Sequence, residues 1–319
     1  MVISELNIKN KKNLSLGTNK NLATRIKEHW VLYLFILPCF IWLLVFCYYP
    51  MYGAILAFKD YKYDLGIWGS PFVGFKHFEA FITSQDFWLV FKNTIVISFL
   101  KIIFCFPAPI ILALLLNEVQ KARFKKIVQT TSYLPNFVSW VVVVSLMTVL
   151  LSPYGGIINN IRESFGLEPI FFLGTRKYFY PTVILSDIWK NAGWGSIVYL
   201  AALTGINPTL YEAANIDGAS RLKCVWHITL PGIKGIIGIM FIFAVGGILN
   251  AGFDQILLLQ QPDNMIISEI LDTYVLKRGL QYGKFEYATA VGLFKSVFAL
   301  IMMCSANTIA KRAAEVSVW

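Results

Sequence analysis

A group of polar side chains interrupts an otherwise apolar stretch in the second half of the chain. Asp187, Lys190, Asn191 and Trp194 lie within eight residues of one another, and the spacing of the first, third and fourth puts them on one face of a helix. Lys190 follows Asp187 by three residues, so these two side chains could pair. One interpretation is a structural ion pair beside interfacial aromatic residues. The other is a surface that stacks on sugar rings and hydrogen-bonds their hydroxyl groups.

Further polar groups in apolar surroundings extend this candidate surface. Polar residues inside membrane segments often mark the route of a substrate or an ion. Asp254 and Gln255 are similar candidates. For Lys101, extension toward the membrane surface or contact with a partner subunit is expected as readily as contact with cargo. The predicted substrate path consists of Asn191, Trp194, Tyr199 and Asn250.

The sequence gives little reason to expect chemistry on the substrate. Nucleophile–base pairs and carboxylate constellations are missing, so we predict no catalytic residue. The five cysteines and three histidines do not show the spacing of a metal site, and we expect none. The phosphate-loop pattern G-x-x-x-x-G-K-[ST] is also absent from the sequence, so we expect this chain to bind no nucleotide cofactor.

The elements that position these residues are those of a membrane protein. Of the 319 residues, 57% are hydrophobic and 14% are charged, whereas about a quarter of the residues in soluble domains are charged. The expected fold is an all-α integral membrane protein with six transmembrane helices, since six apolar stretches are long enough to cross a bilayer. They lie near Trp30–Tyr49, Thr94–Leu116, Tyr133–Leu151, Pro181–Leu203, Ile236–Phe253 and Ala288–Ala310.

Lysine and arginine then predict the orientation. If the N-terminus is cytoplasmic, the inner segments 1–29, 117–127, 205–234 and 311–319 hold 15 of these residues and the outer loops hold nine. The excess inside favours cytoplasmic N- and C-termini. This distribution also explains the net charge of +10 better than nucleic-acid binding does. We expect two tails, 1–29 and 311–319, around a transmembrane domain at 30–310 whose loop 205–234 faces the cytoplasm.

That loop contains the polar passage YEAANIDGASRLKCVWHITLPG, residues 211–232. Asn207-Pro208 has the form of an N-cap followed by proline at the first helical position. A helix over Leu210–Asp217 is expected to end at Gly218 in the left-handed conformation. A second helix is predicted over Arg221–Thr229, ended by Pro231. Two short capped helices exceed what a simple connection needs, and this indicates a docking element.

The same passage resembles the EAA motif, E-A-A-x-x-x-G-A followed by I-x-L-P, of permease subunits in binding-protein-dependent ABC importers. Other segments, including FVGFKHFEAF, QTTSYLPNFVSWVVV and EYATAVGLFKSVFALI, resemble the LplB-type polysaccharide permeases of the sugar-importer branch. The resemblance implies a type I ABC importer permease fold with a cytoplasmic coupling helix. The residues that it assigns to ATPase coupling are Glu212, Ala213, Ala214, Asp217, Gly218, Ala219, Ile228, Leu230 and Pro231.

The resemblance also implies a function and a set of partners. The chain would be the permease subunit of an ATP-driven importer of oligosaccharides in a bacterial cell membrane. It would pair with a second, homologous permease and with two copies of a cytoplasmic ATPase, which bind ATP and Mg²⁺. An extracellular lipoprotein would deliver the sugar. The alternative from another class is an ion-coupled secondary transporter in which Asp187 and Lys190 form the ion site.

Overall fold

The computed structural model describes residues 29–314. Residues 1–28 and 315–319, which include most of both predicted tails, lie outside the described residues. Within the described range the chain is helical and forms no β-strand, apart from an isolated antiparallel bridge between Lys59 and Phe72. The prediction of an all-α chain is confirmed.

Twelve α-helices of at least seven residues occur between residues 29 and 314. They are α1 (Trp30–Leu43), α2 (Lys76–Ile82), α3 (Gln85–Phe104), α4 (Pro107–Glu118), α5 (Ala122–Tyr133), α6 (Trp140–Leu150), α7 (Ile157–Ser164), α8 (Arg176–Leu203), α9 (Pro208–Ile216), α10 (Lys234–Gly246), α11 (Phe253–Leu259) and α12 (Phe285–Ala314). Shorter α-helical turns lie at Tyr49–Met51, Gly66–Gly69, Arg221–Cys224, Leu230–Gly232, Met265–Ser268 and Leu271–Leu276. Segments of 3₁₀-helix lie at Tyr52–Phe58, Leu134–Phe137, Ile248–Asn250 and Pro262–Asn264, and π-helical segments at Leu44–Tyr48, Val225–Thr229 and Lys277–Gln281.

These helices account for the predicted membrane spans. Three helical runs are long and apolar enough to cross a membrane, namely Trp30–Phe58, Gln85–Glu118 and Phe285–Arg312, and two bent helix pairs raise the number to five. The remaining predicted span lies within α8, which has 28 residues and is therefore about 42 Å long. Asp187, Lys190 and Asn191 make the middle of α8 more polar than the other spans.

The predicted third span is not a continuous helix. The run Ala122–Phe137 and helix α6 meet at an angle of 102°. Ser139 begins α6 as its N-cap, because its hydroxyl accepts a hydrogen bond from the Val142 amide at 3.4 Å. Apolar residues on both sides concealed this break from a reading of hydropathy alone.

The predicted fifth span, Ile236–Phe253, follows a bend and is itself interrupted near its end. Helix α10 is bent by 65° from the preceding helical segment Arg221–Gly232 and then ends at Gly246, before α11 begins at Phe253. Between them Ala251 and Gly252 have positive φ angles of 45° and 81°. Ala251 is the one non-glycine residue with positive φ in the part of the chain that the structure describes, and such a conformation costs about 1–3 kcal/mol.

Buried apolar residues hold the helices of residues 56–314 together. One cluster joins α3, α6 and α8 to α11, with Ile97, Val144 and Val183 among its members. Another joins α4 and α8 around the buried Tyr199. By internal contacts the chain divides into two units, Met1–Ile55 and Leu56–Trp319, a division that differs from the predicted boundaries of tail and transmembrane domain. In the first unit every residue of α1 is exposed.

A polar cluster fixes the segment between α11 and α12. Arg278 Nη2 donates to Asp86 Oδ2 at 2.6 Å, and the Tyr274 hydroxyl donates to the same oxygen at 3.2 Å. The Arg278 guanidinium also lies over the Tyr274 ring, 4.9 Å from its centroid. Burial raises the pKa of the Tyr274 phenol above its ordinary value of 10.0. Tyr274 therefore remains a neutral donor at physiological pH.

Candidate coupling loop and intramembrane cavity

The loop after α8 forms the two capped helices that the sequence predicts. The Asn207 side chain accepts a hydrogen bond from the Thr209 amide at 3.1 Å and begins α9. At its end the Ala219 amide donates to the Ala214 carbonyl at 2.9 Å, and the Gly218 amide donates to the Asn215 carbonyl at 3.1 Å. This pair of bonds is a Schellman motif. Gly218 has a φ of 71°, so the predicted left-handed conformation is confirmed.

A hydrogen bond between side chains ties the two halves of the loop together. The Tyr211 hydroxyl lies 3.0 Å from Thr229 Oγ1, and the buried Thr229 hydroxyl also donates to the Cys224 carbonyl at 3.3 Å. Tyr211 belongs to α9 and Thr229 to the following helical segment. The loop is therefore braced across its bend as well as capped at its ends.

Apolar side chains cover the outer surface of this braced loop. Ile216 is 87% exposed, and Leu222 and Trp226 are also largely exposed. Glu212, the charged residue of the motif, is exposed on the same loop. Large apolar side chains at the surface of a capped helix pair indicate a site for another protein.

The end of the loop differs from the prediction in one respect. Pro231 was expected to end the second helix, but the helical segment continues to Gly232 and the bend follows at Ile233. Pro231 lies in the last turn of that segment, directly after the π-helical residues Val225–Thr229, and the backbone remains helical there although proline has no amide hydrogen to donate.

Near the middle of α8 a network of polar side chains lines a cavity of about 320 Å³. Asp187 Oδ1 accepts a hydrogen bond from Asn191 Nδ2 at 2.6 Å, and Asp187 Oδ2 lies 3.6 Å from Lys101 Nζ in α3. Lys101 Nζ also donates to Gln255 Oε1 in α11 at 2.7 Å. Asn136 Nδ2 donates to Asn191 Oδ1 at 3.2 Å. The predicted second, fourth and fifth spans therefore contribute to this cavity, and Asn136 before α6 joins the network through Asn191.

Lys190 does not form the ion pair that its spacing from Asp187 suggests. Its ammonium donates to the carbonyls of Pro135 at 3.3 Å and Asn136 at 2.8 Å, and to that of Val138. These carbonyls lie at the bend before α6, where that of Pro135 also accepts from the Val138 amide at 3.2 Å, and Lys190 supplies a donor to all three. The expected pairing was wrong because the acceptors come from a distant part of the chain. Asp187 and Lys190 therefore do not form the joint ion site of the secondary-transporter alternative.

The structure separates the four residues of the predicted path. Asn191 lines the cavity. Trp194 is half exposed and packs edge-on against Phe137, with ring centroids 5.4 Å apart. Tyr199 is only 1% exposed and belongs to the apolar cluster around Ile110 and Ile233, so its predicted place on the path is wrong.

Asn250 lies in the 3₁₀-helical segment between α10 and α11, just before the turn at Ala251 and Gly252. Its side-chain oxygen accepts a hydrogen bond from Lys295 Nζ at 3.0 Å, and that ammonium is paired with Asp272 at 2.6 Å. Asn250 is exposed, but it is not among the described residues that line the cavity. Asp254 is exposed as well, and Gln255 is fully buried in the network with Lys101.

Sequence reasoning did not assign Lys101 or Cys105 to this site. Both line the cavity, together with Ser98 and the backbone around Ala251. The one available signal for a role of Lys101 was its charge in the middle of the apolar run Gln85–Glu118. Its partner Gln255 lies 154 residues further along the chain, so spacing could not reveal their contact.

Comparisons with known proteins agree with this architecture. A family model described as "Binding-protein-dependent transport system inner membrane component" matches residues 105–315. The polygalacturonan/rhamnogalacturonan transport system permease protein YteP of Bacillus subtilis strain 168 is 49% identical over 300 residues, which are 94% of each chain. Protein LplB of the same organism is 44% identical over 299 residues, again 94% of each chain.

Two solved structures share the fold. One is a chain of a bacterial ABC transporter involved in the import of the acidic polysaccharide alginate, with a TM-score of 0.85 and 42% identity over 92% of this chain and 99% of that one. The other comes from the alginate transporter in complex with an alginate pentasaccharide-bound periplasmic protein, with a TM-score of 0.86 and 41% identity over 94% and 100% of the two chains. The present chain therefore belongs to the family of binding-protein-dependent transport system inner membrane components, and it is the membrane-embedded permease subunit of an ABC importer, in which a separate subunit hydrolyses ATP.

Proposed function

We propose that this permease moves oligosaccharides into a bacterial cell and that the loop 205–234 couples this movement to a cytoplasmic ATPase. The braced loop is the observation that carries the proposal. Two capped helices, joined by the Tyr211–Thr229 contact and bent at Gly218, transmit a displacement better than an open loop does. Their exposed apolar side chains offer an area that a groove of the ATPase can bury.

Coupling requires that the loop moves as one body. When ATP closes the two ATPase copies, the loop follows its groove and the spans on either side of it, α8 and α10, are displaced. Glu212 supplies a charged contact at the base of α9. The rest of the assigned surface is Ala213, Ala214, Asp217, Gly218, Ala219, Ile228, Leu230 and Pro231. We infer that both termini also lie in the cytoplasm, because the excess of lysine and arginine in the predicted inner segments favours that orientation.

The cavity at Asn191 supports the assignment of an oligosaccharide as cargo. Its carboxylate, ammonium and amide groups can exchange hydrogen bonds with sugar hydroxyls, and the half-exposed ring of Trp194 lies one turn away on α8. The names of the relatives give polygalacturonan, rhamnogalacturonan and alginate as their polymers. We infer that the present chain transports fragments of acidic polysaccharides.

The exposed faces of α6 and α8 support a second, homologous permease as partner. Leu146 and Leu150 of α6 and Leu185 and Trp189 of α8 are exposed, and with neighbouring residues they border an apolar hollow of about 530 Å³. A second permease that covers this face would complete the path between two subunits. An extracellular lipoprotein would deliver the sugar, in keeping with the periplasmic protein in the related alginate complex.

Uptake by the reconstituted assembly tests this function. The permease is co-expressed with its partner permease, the ATPase and the binding protein, and the complex is placed in proteoliposomes that contain ATP and Mg²⁺. We expect labelled oligogalacturonate to enter only when both the binding protein and hydrolysable ATP are present. Uptake that persists without ATP and stops when an ionophore collapses the ion gradient would instead support a secondary transporter.

A further inference from the structure

The Lys101 ammonium lies between the side chains of Gln255 and Asp187. It is 2.7 Å from Gln255 Oε1 and 3.6 Å from Asp187 Oδ2. A Cβ atom at Gly252 would come too close to this ammonium, and the φ of 81° at Gly252 independently disfavours a side chain there. The Lys101 side chain is 16% exposed and lines the cavity.

The charges that face the cavity are few. Among the lining residues that the structure describes, Lys101 and Asp187 carry charge and the others are neutral. Asn191 lies closer to Asp187 than Lys101 does, because Asn191 Nδ2 donates to Asp187 Oδ1 at 2.6 Å. The Lys101 ammonium has three hydrogen-bond donors, of which Gln255 engages one, and Asp187 lies 3.6 Å away as its ion-pair partner. Lys101 can therefore accept a further anionic partner while Asp187 keeps its bond to Asn191.

An acidic sugar needs such a partner inside the membrane. Transfer of an isolated carboxylate from water into low-dielectric surroundings is strongly unfavourable unless a cation and hydrogen bonds compensate it. The other lysines of the spans are engaged elsewhere. Lys190 donates to three backbone carbonyls, and Lys295 is paired with Asp272 through two contacts of 2.6 and 2.7 Å.

We propose that Lys101 determines the preference of this permease for acidic over neutral sugars. When a uronic acid residue occupies the cavity, the Lys101 ammonium contacts the sugar carboxylate, while Asn191 continues to hold Asp187. This proposal rests on the proposed function as an oligosaccharide importer. It adds the residue that distinguishes a charged sugar from an uncharged one of the same shape.

Binding of two matched sugars to the receptor-free complex tests the proposal. Tritiated trigalacturonate and its methyl ester differ in charge and share the same sugar units. Their binding to the permease–ATPase complex in nanodiscs is measured by scintillation proximity, so the selectivity of the binding protein does not enter. The variants are Lys101→Arg and the double variant Lys101→Met/Asp187→Asn, which removes both charges and leaves no unpaired carboxylate. Lys295→Met controls for the loss of an intramembrane cation outside the cavity.

We expect the wild type and Lys101→Arg to bind the acid more tightly than the ester. In the double variant the affinity for the acid should fall about tenfold while that for the ester changes little, since a charge-assisted hydrogen bond is lost. Lys295→Met should keep the wild-type ratio of the two affinities. An unchanged ratio in the double variant, an equal loss of both sugars, or a wild type that shows no preference for the acid would overturn the role of Lys101. A wild-type assembly that imports no oligosaccharide at all would refute the proposed function instead.

Discussion

At the scale of single residues, polar side chains in this permease join segments that lie far apart in the sequence. Lys190 donates to carbonyls at Pro135, Asn136 and Val138, and Lys101 reaches Gln255 and Asp187. Lys190 satisfies carbonyls at the break before α6, and Lys101 contacts polar side chains of α8 and α11. An intramembrane charge is costly, and here it is compensated by the backbone and side chains that the breaks make available.

Glycines set the distance between two of these spans. A Cβ at Gly193 in α8 would overlap the Ser132 carbonyl at the end of α5. We expect Gly193→Ala to force the two helices apart and to destabilise the protein by about 1–3 kcal/mol, the usual cost of overpacking. The measurement is the thermal unfolding midpoint in detergent, followed by tryptophan fluorescence.

Gly292 in α12 provides the matched control, because a Cβ there meets nothing within 4 Å. Gly292→Ala should leave the midpoint unchanged or raise it slightly, since alanine favours a helix over glycine. Equal midpoints for Gly193→Ala and the wild type would show that α5 and α8 are not held at the distance described.

Local sequence rules predicted the residues whose partners lie nearby. The Asn207 cap and the positive φ of Gly218 follow from residue types within one or two turns, and the structure confirms both. Contacts between distant segments were beyond such rules. Asp187 was expected to pair with Lys190, and Tyr199 was placed on the path, because spacing along one helix carries no information about the helix packed against it.

At the scale of elements, the coupling loop depends on the geometry of its bend. Gly218 has a φ of 71°, and a side chain there would meet nothing within 4 Å. Backbone strain at positive φ, and not lack of space for a side chain, therefore limits which residues can replace Gly218. We expect Gly218→Val to re-aim the second helix and to reduce the amount of ATPase that co-purifies with a tagged permease, together with sugar uptake. Valine is strongly disfavoured at positive φ.

Gly218→Asn separates conformation from the mere presence of a side chain. Asparagine adopts the left-handed region far more readily than valine, so this variant should retain ATPase association and most of the uptake. If the valine and asparagine variants both behave like the wild type, the bend at Gly218 has no part in coupling.

Hydropathy located the spans but not their interruptions. Three of the six predicted stretches, Trp30–Tyr49, Pro181–Leu203 and Ala288–Ala310, lie within continuous helical segments, and the other three are interrupted. The 102° bend before α6 and the positive-φ turn at Ala251 and Gly252 lie inside apolar sequence. Hydrophobicity reports that a segment prefers lipid and says little about whether its backbone is continuous. Ser139 and the glycines near residue 250 are the signals that a reading of caps and turns could have used.

At the scale of the whole molecule, the proposed orientation in the membrane can be tested at one exposed residue on each side. Tyr154 precedes α7 and is 92% exposed, and Ile216 of the loop is 87% exposed. In a variant whose native cysteines are replaced, we expect Tyr154→Cys to react with an impermeant maleimide on intact cells. Ile216→Cys should react only after lysis, because six spans with an inner N-terminus place the loop in the cytoplasm.

The opposite pattern of labelling would reverse the assigned orientation and remove the loop from reach of a cytoplasmic ATPase. Labelling of both cysteines in intact cells would contradict the membrane barrier between them, and with it the assignment of α8 as a complete span.

The polar middle of α8 also bears on how the protein is made. A segment with Asp187, Lys190 and Asn191 at its centre has little tendency to leave the translocon for lipid by itself, since each charged group there opposes insertion by about 2.5–3.5 kcal/mol. Its partners Lys101 and Asn136 belong to segments that the ribosome completes earlier. We therefore expect those earlier segments to remain beside the translocon until α8 emerges, so that a charged helix enters the bilayer as part of an assembly and not alone.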